Sequence, residues 1–150
     1  MKQIKRILYA TDFSPASEPA LEEAIDLAKQ NNAQLLLVHV IEPVRYVAGE
    51  EFGGPELYVK LEEITDQNAQ ASMKKLIEKV EHLKIKAESL LLKGVAHEQI
   101  VSAAETRKAD MIVIGTHGRT GFSKLFMGSV AGRVISTALC PVLTVRGKKS

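Results

Sequence analysis

The amino-acid sequence predicts a doubly wound α/β fold in which five parallel strands form one sheet with helices on both faces. Short apolar runs with almost no polar interruption indicate strands that are covered on both sides, as parallel strands are. Between these runs, apolar residues recur at helical spacing. Strands and helices therefore alternate along the chain, which is the pattern of βαβ units.

The first two apolar runs and the segment between them predict one βαβ unit. Strand one is predicted at residues 7–10 and strand two at residues 35–41. Ser14 and Pro15 offer a cap and a first-turn proline for the intervening helix, and Asn31 and Asn32 end it.

The rest of the chain predicts three more helices and three more strands. Residues 42–55 contain three glycines and two prolines and are predicted to form a mobile loop. The apolar face of the long helix that follows changes phase at a polar patch, which leaves a bend or two helices open. Beyond this helix, residues 85–92 predict an edge strand partly open to solvent. Two further helices then flank a strand at residues 111–114, and a last strand is predicted at Val142–Val145.

Length and composition favour one domain spanning residues 1–150, because 150 residues with 45% hydrophobic side chains suffice for one full core. The 20 basic and 18 acidic residues are mixed along the chain, so no charge block indicates a nucleic-acid or membrane partner. The single cysteine, Cys140, forms no internal disulfide, and no signal-peptide core or membrane-length apolar stretch is present. These features predict a cytoplasmic protein.

Two segments of the predicted sheet stand out as a possible ligand site. Doubly wound sheets bind ligands where the strand order reverses direction, outside the carboxyl ends of the strands. The strand order cannot be read from this pattern, but if it is 3-2-1-4-5, that crevice opens between strands one and four. Its mouth would then hold Ala10, Thr11 and Asp12 on one side and the segment from Gly115 onward on the other.

Residues 115–129 form a glycine-punctuated loop that leads into a helix. Glycines let backbone N–H groups turn toward an anion, and a helix amino terminus adds unpaired donors and a positive dipole end. Ser129 adds a hydroxyl, and His117, Arg119 and Lys124 add donors or positive charge. The alternative is that the glycines only make tight turns. Neither a Walker A loop nor a dinucleotide fingerprint is present.

The spacing of this loop is G-x2-G-x9-G-[ST], with Gly115, Gly118, Gly128 and Ser129 at the fixed positions. In this signature the sequence resembles the universal stress protein family, specifically its ATP-binding branch. The resemblance extends to residues 7–14, 37–40 and 140–145, and so covers nearly the whole chain.

The resemblance implies the strand order 3-2-1-4-5, a homodimer, and ATP or a related adenine nucleotide at the carboxyl ends of the strands. The glycine loop and Ser129 would hold the phosphates, Asp12 would lie by the ribose and phosphates, and backbone near Val40 would contact adenine. At Ala10 the chain departs from related sequences, which often carry proline or valine. The expected nucleotide-binding residues are Ala10, Thr11, Asp12, Val40, Ile114, Gly115, His117, Gly118, Arg119, Gly128, Ser129 and Val130.

Other titratable residues have ordinary structural interpretations. Asp12 either caps the first helix or turn, or coordinates a metal through the phosphates. A magnesium or manganese ion would enter only with the nucleotide, since the four histidines and the cysteine lack the paired spacing of zinc sites. His39 is interpreted as a core or rim histidine, and His82 and His97 as surface residues. The sequence identifies no catalytic residue.

Three functions remain open from the sequence. The favoured one is a stress-response module in which adenine-nucleotide occupancy sets the conformation or partner preference. The second is a slow ATPase that uses magnesium or manganese. The third is a dimeric interaction or chaperone-like protein that does not depend on nucleotide. The dimer is expected to form through Val142–Val145, because this last strand is apolar and lacks inward charges.

Overall fold

The computed structural model describes residues 2–43, 53–117 and 127–147. Its five strands form one parallel sheet in the order β3-β2-β1-β4-β5, which confirms the predicted fold class and strand order. A short 3-10 turn, Pro15–Ser17, follows the first strand. The other elements of the described residues are β1 (Arg6–Ala10), α1 (Glu18–Asn31), β2 (Gln34–Ile41), α2 (Gly54–His82), β3 (Ala87–Lys93), α3 (Ala96–Thr106), β4 (Met111–Gly115), α4 (Ser129–Thr137) and β5 (Val142–Val145).

Each face of the sheet is covered by two helices. Alternate strand residues such as Ile7 and Leu35 pack with α1 and α2, whereas Leu8 and Leu36 pack with α3 and α4. The buried residues of the central strands are therefore apolar whichever way their side chains point, and the polar residues Arg6, Gln34 and His39 lie at or near strand ends. This two-sided burial is the physical cause of the unbroken apolar runs in the sequence.

The long helix is continuous, so the two-helix alternative for this segment is wrong. Its buried residues, Ala69, Met73 and Val80, all lie in its second half. A helix of 29 residues is about 43 Å long at 1.5 Å per residue, whereas the seven residues of β3 extend about 23 Å. The first half of α2 thus extends past the sheet. The change of apolar face seen in the sequence marks the point where α2 stops packing against the sheet.

The start of the first helix differs from the prediction in its cap. Ser14 precedes the 3-10 turn, α1 begins only at Glu18, and the Ser14 side chain makes no capping bond. Its hydroxyl is buried without a hydrogen-bond partner among the described residues. The predicted end of α1 agrees with the structure, because Asn32 adopts the left-handed conformation with φ of 52°.

The carboxylate of Asp110 joins the start of β1 to the start of β4. It accepts the backbone N–H groups of Lys5 and Arg6 at 2.8 and 2.9 Å. Desolvation tends to raise the pKa of this carboxyl, but the two N–H donors outweigh it and hold the pKa below its ordinary value. The crevice opens between the carboxyl ends of β1 and β4, and Asp110 ties these two strands together at their amino ends.

The edges of the sheet are β3 and β5, so the last strand and the partly polar third strand both lie where the sequence places them. Cys140 is half-buried just before β5, and burial raises the pKa of its thiol. The described part of the chain has no helix that combines the length and apolar character needed to cross a membrane. Most of the loop predicted at residues 42–55 lies outside the described residues.

Candidate functional site

A cavity of about 220 Å³ opens at the carboxyl ends of β1, β2 and β4. It lies at the point where the strand order reverses, as expected for a doubly wound sheet. Ten of the twelve sequence-predicted residues line it, and Gly118 and Arg119 lie outside the described residues. The ten are Ala10, Thr11, Asp12, Val40, Ile114, Gly115, His117, Gly128, Ser129 and Val130.

Seven further residues line the cavity that the sequence did not single out. They belong to the β2 end, to the first turns of α3 and α4, and to the turns after β1 and β4. Their position in the predicted elements could have identified them, because side chains at strand ends and in the first turn of the following helix face the same crevice. These residues are Ser17, Val38, His39, Ala96, Ile100, Thr116 and Ala131.

The amino terminus of α4 forms one wall of the cavity. Gly128 is its N-cap residue and supplies no capping side chain, and the first helical bond runs from Gly132 N–H to the Gly128 carbonyl at 3.0 Å. The N–H groups of residues 129–131 therefore have no acceptor within the helix. With the positive end of the helix dipole, they make this wall a favourable place for an anion.

Gly128 is also required by the packing of the chain itself. Its N–H donates to the Thr116 carbonyl at 2.6 Å, and a Cβ at this position would lie 2.9 Å from the same oxygen. At Gly115, by contrast, a Cβ would make only ordinary contacts, the nearest at 3.4 Å. The tight-turn interpretation thus accounts for Gly128 without a ligand, and a substitution there would disturb the backbone as well as any binding.

The turn after β1 is held by hydrogen bonds among small polar side chains. The Thr11 hydroxyl accepts the Phe13 N–H at 2.9 Å and lies 3.0 Å from the Ser17 hydroxyl, which donates to the Ser14 carbonyl at 2.7 Å. Asp12 Oδ1 accepts the Ser14 N–H at 2.9 Å. Asp12 therefore caps this turn while it also lines the cavity, so the structural role foreseen for it is real.

Two buried groups support the polar side of the cavity. The Tyr9 hydroxyl donates to the Ser17 carbonyl at 2.9 Å, and burial raises the pKa of the phenol, which keeps the donor protonated. Thr116 is only 6% exposed, and its N–H donates to the Val145 carbonyl at 2.9 Å. Its hydroxyl lies 3.0 Å from Nδ1 of the half-buried His117. Both turns that reach the cavity are thus anchored to the sheet.

A second concavity of about 560 Å³ lies at the opposite end of the sheet. The basic residues that line it sit on α1, on β1 and its amino-terminal flank, and after α2. Helices α1 and α2 end there, and cations at helix carboxyl termini stabilise the negative dipole ends. This concavity is larger, yet its charge is explained by helix stability. The basic residues are Lys5, Arg6, Lys29, Lys84 and Lys86.

The donor set at the strand carboxyl ends suits a phosphate-bearing ligand. It combines the α4 N–H groups with the Ser129 hydroxyl and an apolar wall on β2 and α3. Within the described ranges, no group of three or more His, Cys, Asp or Glu side chains is placed to hold a metal ion. The fold and the cavity together define a doubly wound α/β protein with a ligand cavity at its topological switch point.

The chain belongs to the universal stress protein family, whose family model matches residues 3–146. The universal stress protein MJ0531 of Methanocaldococcus jannaschii is 37% identical over 145 residues, which cover 97% of this chain and 84% of that protein. The universal stress protein A homolog 1 of Coxiella burnetii is 40% identical over 144 residues, covering 94% and 95% of the two chains.

Solved structures show the same fold. The structure of MJ0577, a universal stress protein of M. jannaschii, superposes with a TM-score of 0.84 at 31% identity and covers 99% of this chain and 100% of that one. Two universal stress proteins solved as complexes are more distant. One holds cAMP (TM-score 0.72, 20% identity, 98% and 100% covered), and one from Archaeoglobus fulgidus holds dAMP (TM-score 0.68, 23% identity, 97% and 100% covered).

Proposed function

We propose that this protein binds ATP or a related adenine nucleotide in the cavity at the carboxyl ends of β1, β2 and β4. One observation carries the proposal: the amino terminus of α4, where Gly128 supplies no capping side chain, and the polar turn after β1 face the same cavity. The phosphates would meet the α4 N–H groups and Ser129, with Thr11 and Asp12 opposite them. Gly118 and Arg119 belong to the same proposed phosphate site by their place in the loop signature.

The apolar wall suits the base of the ligand. Val40 on β2 and Ala96 at the start of α3 are half-buried and offer an apolar surface for a flat aromatic ring, and the Val40 backbone offers polar groups for the edge of adenine. Two universal stress proteins of the same fold hold cAMP and dAMP, both adenine nucleotides. Their low identity shows the fold alone, so the proposal depends on the cavity of this chain.

The ligand would act as a regulatory signal and not as a substrate for rapid turnover. The cavity offers backbone donors, hydroxyls and a helix terminus, which bind ground-state phosphates as well as a transition state and so do not accelerate chemistry. A magnesium or manganese ion would be held by the phosphates with Asp12 beside it. We place this function in the cytoplasm, with residues 1–150 as one nucleotide-binding domain.

A turnover assay separates the regulatory module from the slow ATPase. With magnesium present, we expect ATP hydrolysis well below about one turnover per second, the lower end for typical enzymes. The Asp12→Asn variant should show no further loss beyond its effect on binding. Fast hydrolysis that disappears in Asp12→Asn would instead favour the ATPase.

We further propose a homodimer that forms through β5. This strand is an edge of the sheet, all four of its residues are partly exposed, and Leu139 just before it is 83% exposed. An apolar edge strand beside an exposed leucine is a surface suited to pairing with a second copy.

The dimer is best tested at Leu139, because Leu143 packs against the core and a charge there would destabilise the fold. We expect Leu139→Lys to convert the dimer to a monomer in sedimentation while the unfolding temperature of the monomer fold is retained. The matched control is Leu83→Lys, at an exposed leucine that follows α2. An unchanged dimer in Leu139→Lys would place the interface elsewhere.

A further inference from the structure

We propose that His39 is a positioning residue of the candidate site. Through one hydrogen bond to the Thr11 carbonyl it holds the turn after β1, and with it Asp12, in the arrangement that binds the ligand. This proposal rests on nucleotide binding as the function of the cavity. It assigns a role to a strand histidine that the sequence pattern explains only as a core or rim residue.

The bond joins β2 to the turn that follows the neighbouring strand β1. Nδ1 of His39 on β2 lies 2.8 Å from the carbonyl oxygen of Thr11, 28 residues earlier in the chain. Because a carbonyl oxygen only accepts, the hydrogen must lie on Nδ1. The Thr11 N–H also donates to β2, to the Val38 carbonyl at 2.9 Å. Both backbone polar groups of Thr11 are thus fixed by consecutive residues of β2.

The same imidazole contacts the other neighbour of Asp12. The rings of Phe13 and His39 have centroids 4.4 Å apart and are tilted by 37°. Phe13 has a φ of 63°, a left-handed conformation that aromatic residues rarely adopt. Such strained residues persist only where their surroundings fix them, and they concentrate at functional sites. Here the His39 ring and the bond from the Phe13 N–H to the Thr11 hydroxyl provide that fixation.

Asp12 therefore lies between two residues that His39 holds. Its own carboxylate accepts the Ser14 N–H, and its side chain lines the cavity. When the turn is ordered before the ligand arrives, binding does not have to supply that order. Loss of the His39 bond should loosen the turn and weaken ligand binding. His39 also lines the cavity, so two variants of similar size, one with and one without an N–H donor, are needed to isolate the bond.

Two variants of the same shape isolate the hydrogen bond. Asparagine and leucine are similar in size, but only asparagine keeps an N–H donor at the δ position. We expect ATP to bind His39→Asn within about threefold of wild type and His39→Leu about tenfold more weakly, the size of one net hydrogen bond. His82→Leu, at the far end of α2, is the control and should bind as wild type does.

Thermal unfolding separates positioning from a purely structural role. Position 39 is half-buried in an apolar strand, so leucine should stabilise the fold at least as well as asparagine does. Positioning predicts the opposite order for affinity, with His39→Asn the tighter binder. If affinity followed stability, with His39→Leu equal to or tighter than His39→Asn, the proposal would be overturned.

A readout without ligand keeps this proposal distinguishable from the function it rests on. In the free protein we expect the amide hydrogens of Phe13 and Ser14 to exchange about tenfold faster in His39→Leu than in His39→Asn, because the turn opens more often. If the wild type bound no ATP but exchange changed in this way, the proposed function would be wrong, and the role of His39 in ordering the turn would still be supported. Equal exchange in the two variants would overturn the positioning role itself.

Discussion

A carboxylate placed at the first position of α4 should abolish nucleotide binding without weakening the fold. Ser129 is exposed, begins this helix and lines the cavity. A glutamate there would improve the helix dipole interaction and stabilise the protein by about 0.5 kcal/mol. The same charge would repel phosphates at close range. We therefore expect Ser129→Glu to lower ATP affinity by about 100-fold or more.

The control for this variant lies on the same helix. Ser136→Glu adds the same charge at an exposed position near the carboxyl end of α4, away from the cavity. It should leave ATP affinity within about threefold of wild type and lower stability slightly, since a carboxylate opposes the negative dipole end. Calorimetric titration and thermal unfolding of both variants measure this. Tight ATP binding by Ser129→Glu would remove α4 from the phosphate site.

Filling the apolar wall should remove the base of the ligand and spare its phosphates. Ala96 begins α3 and lines the cavity. A phenylalanine there would occupy the space proposed for adenine at a stability change of less than about 1 kcal/mol, because the ring finds an apolar surface. We expect Ala96→Phe to weaken ATP about 30-fold, a loss of aromatic and apolar contact of roughly 2 kcal/mol.

The comparison ligand and the control make this result specific. Inorganic triphosphate lacks a base, so Ala96→Phe should bind it as wild type does, whereas Ser129→Glu should not. Val95→Phe places the same ring one residue earlier, at an exposed position that does not line the cavity. Equal loss of ATP affinity in Ala96→Phe and Val95→Phe would point to a disturbed helix start and not to a filled base site.

The fold was predictable because its causes are local. Each apolar run records burial on both faces, as Leu8 and Leu36 on one face and Ile7 and Leu35 on the other show. The strand order was not readable from these runs and came from the family resemblance. The sequence did not decide whether α2 is one helix or two. Periodicity shows which face of a helix is apolar, but it does not show where the helix extends past the end of the sheet.

The site was predictable where one rule applied and not where distant segments meet. Asp12 follows the end of β1 and Gly115 ends β4, so their place at the crevice followed from the fold class. The contact between His39 and Thr11 joins positions 28 residues apart and depends on the register of β1 with β2. The close approach of Gly128 to the Thr116 carbonyl likewise needs coordinates. No sequence pattern predicts either contact.

The most direct test of the central claim is to identify what the protein itself carries. One sample of the purified protein is denatured in acid, and the supernatant is analysed by mass spectrometry for released nucleotides. A second sample is stripped of ligand under native conditions and titrated with ATP. We expect ATP or ADP to be released, and ATP to bind the stripped protein at one site per chain with an affinity that Ser129→Glu removes. Absence of any released nucleotide, together with no heat of binding on titration, would contradict the claim that this cavity binds an adenine nucleotide.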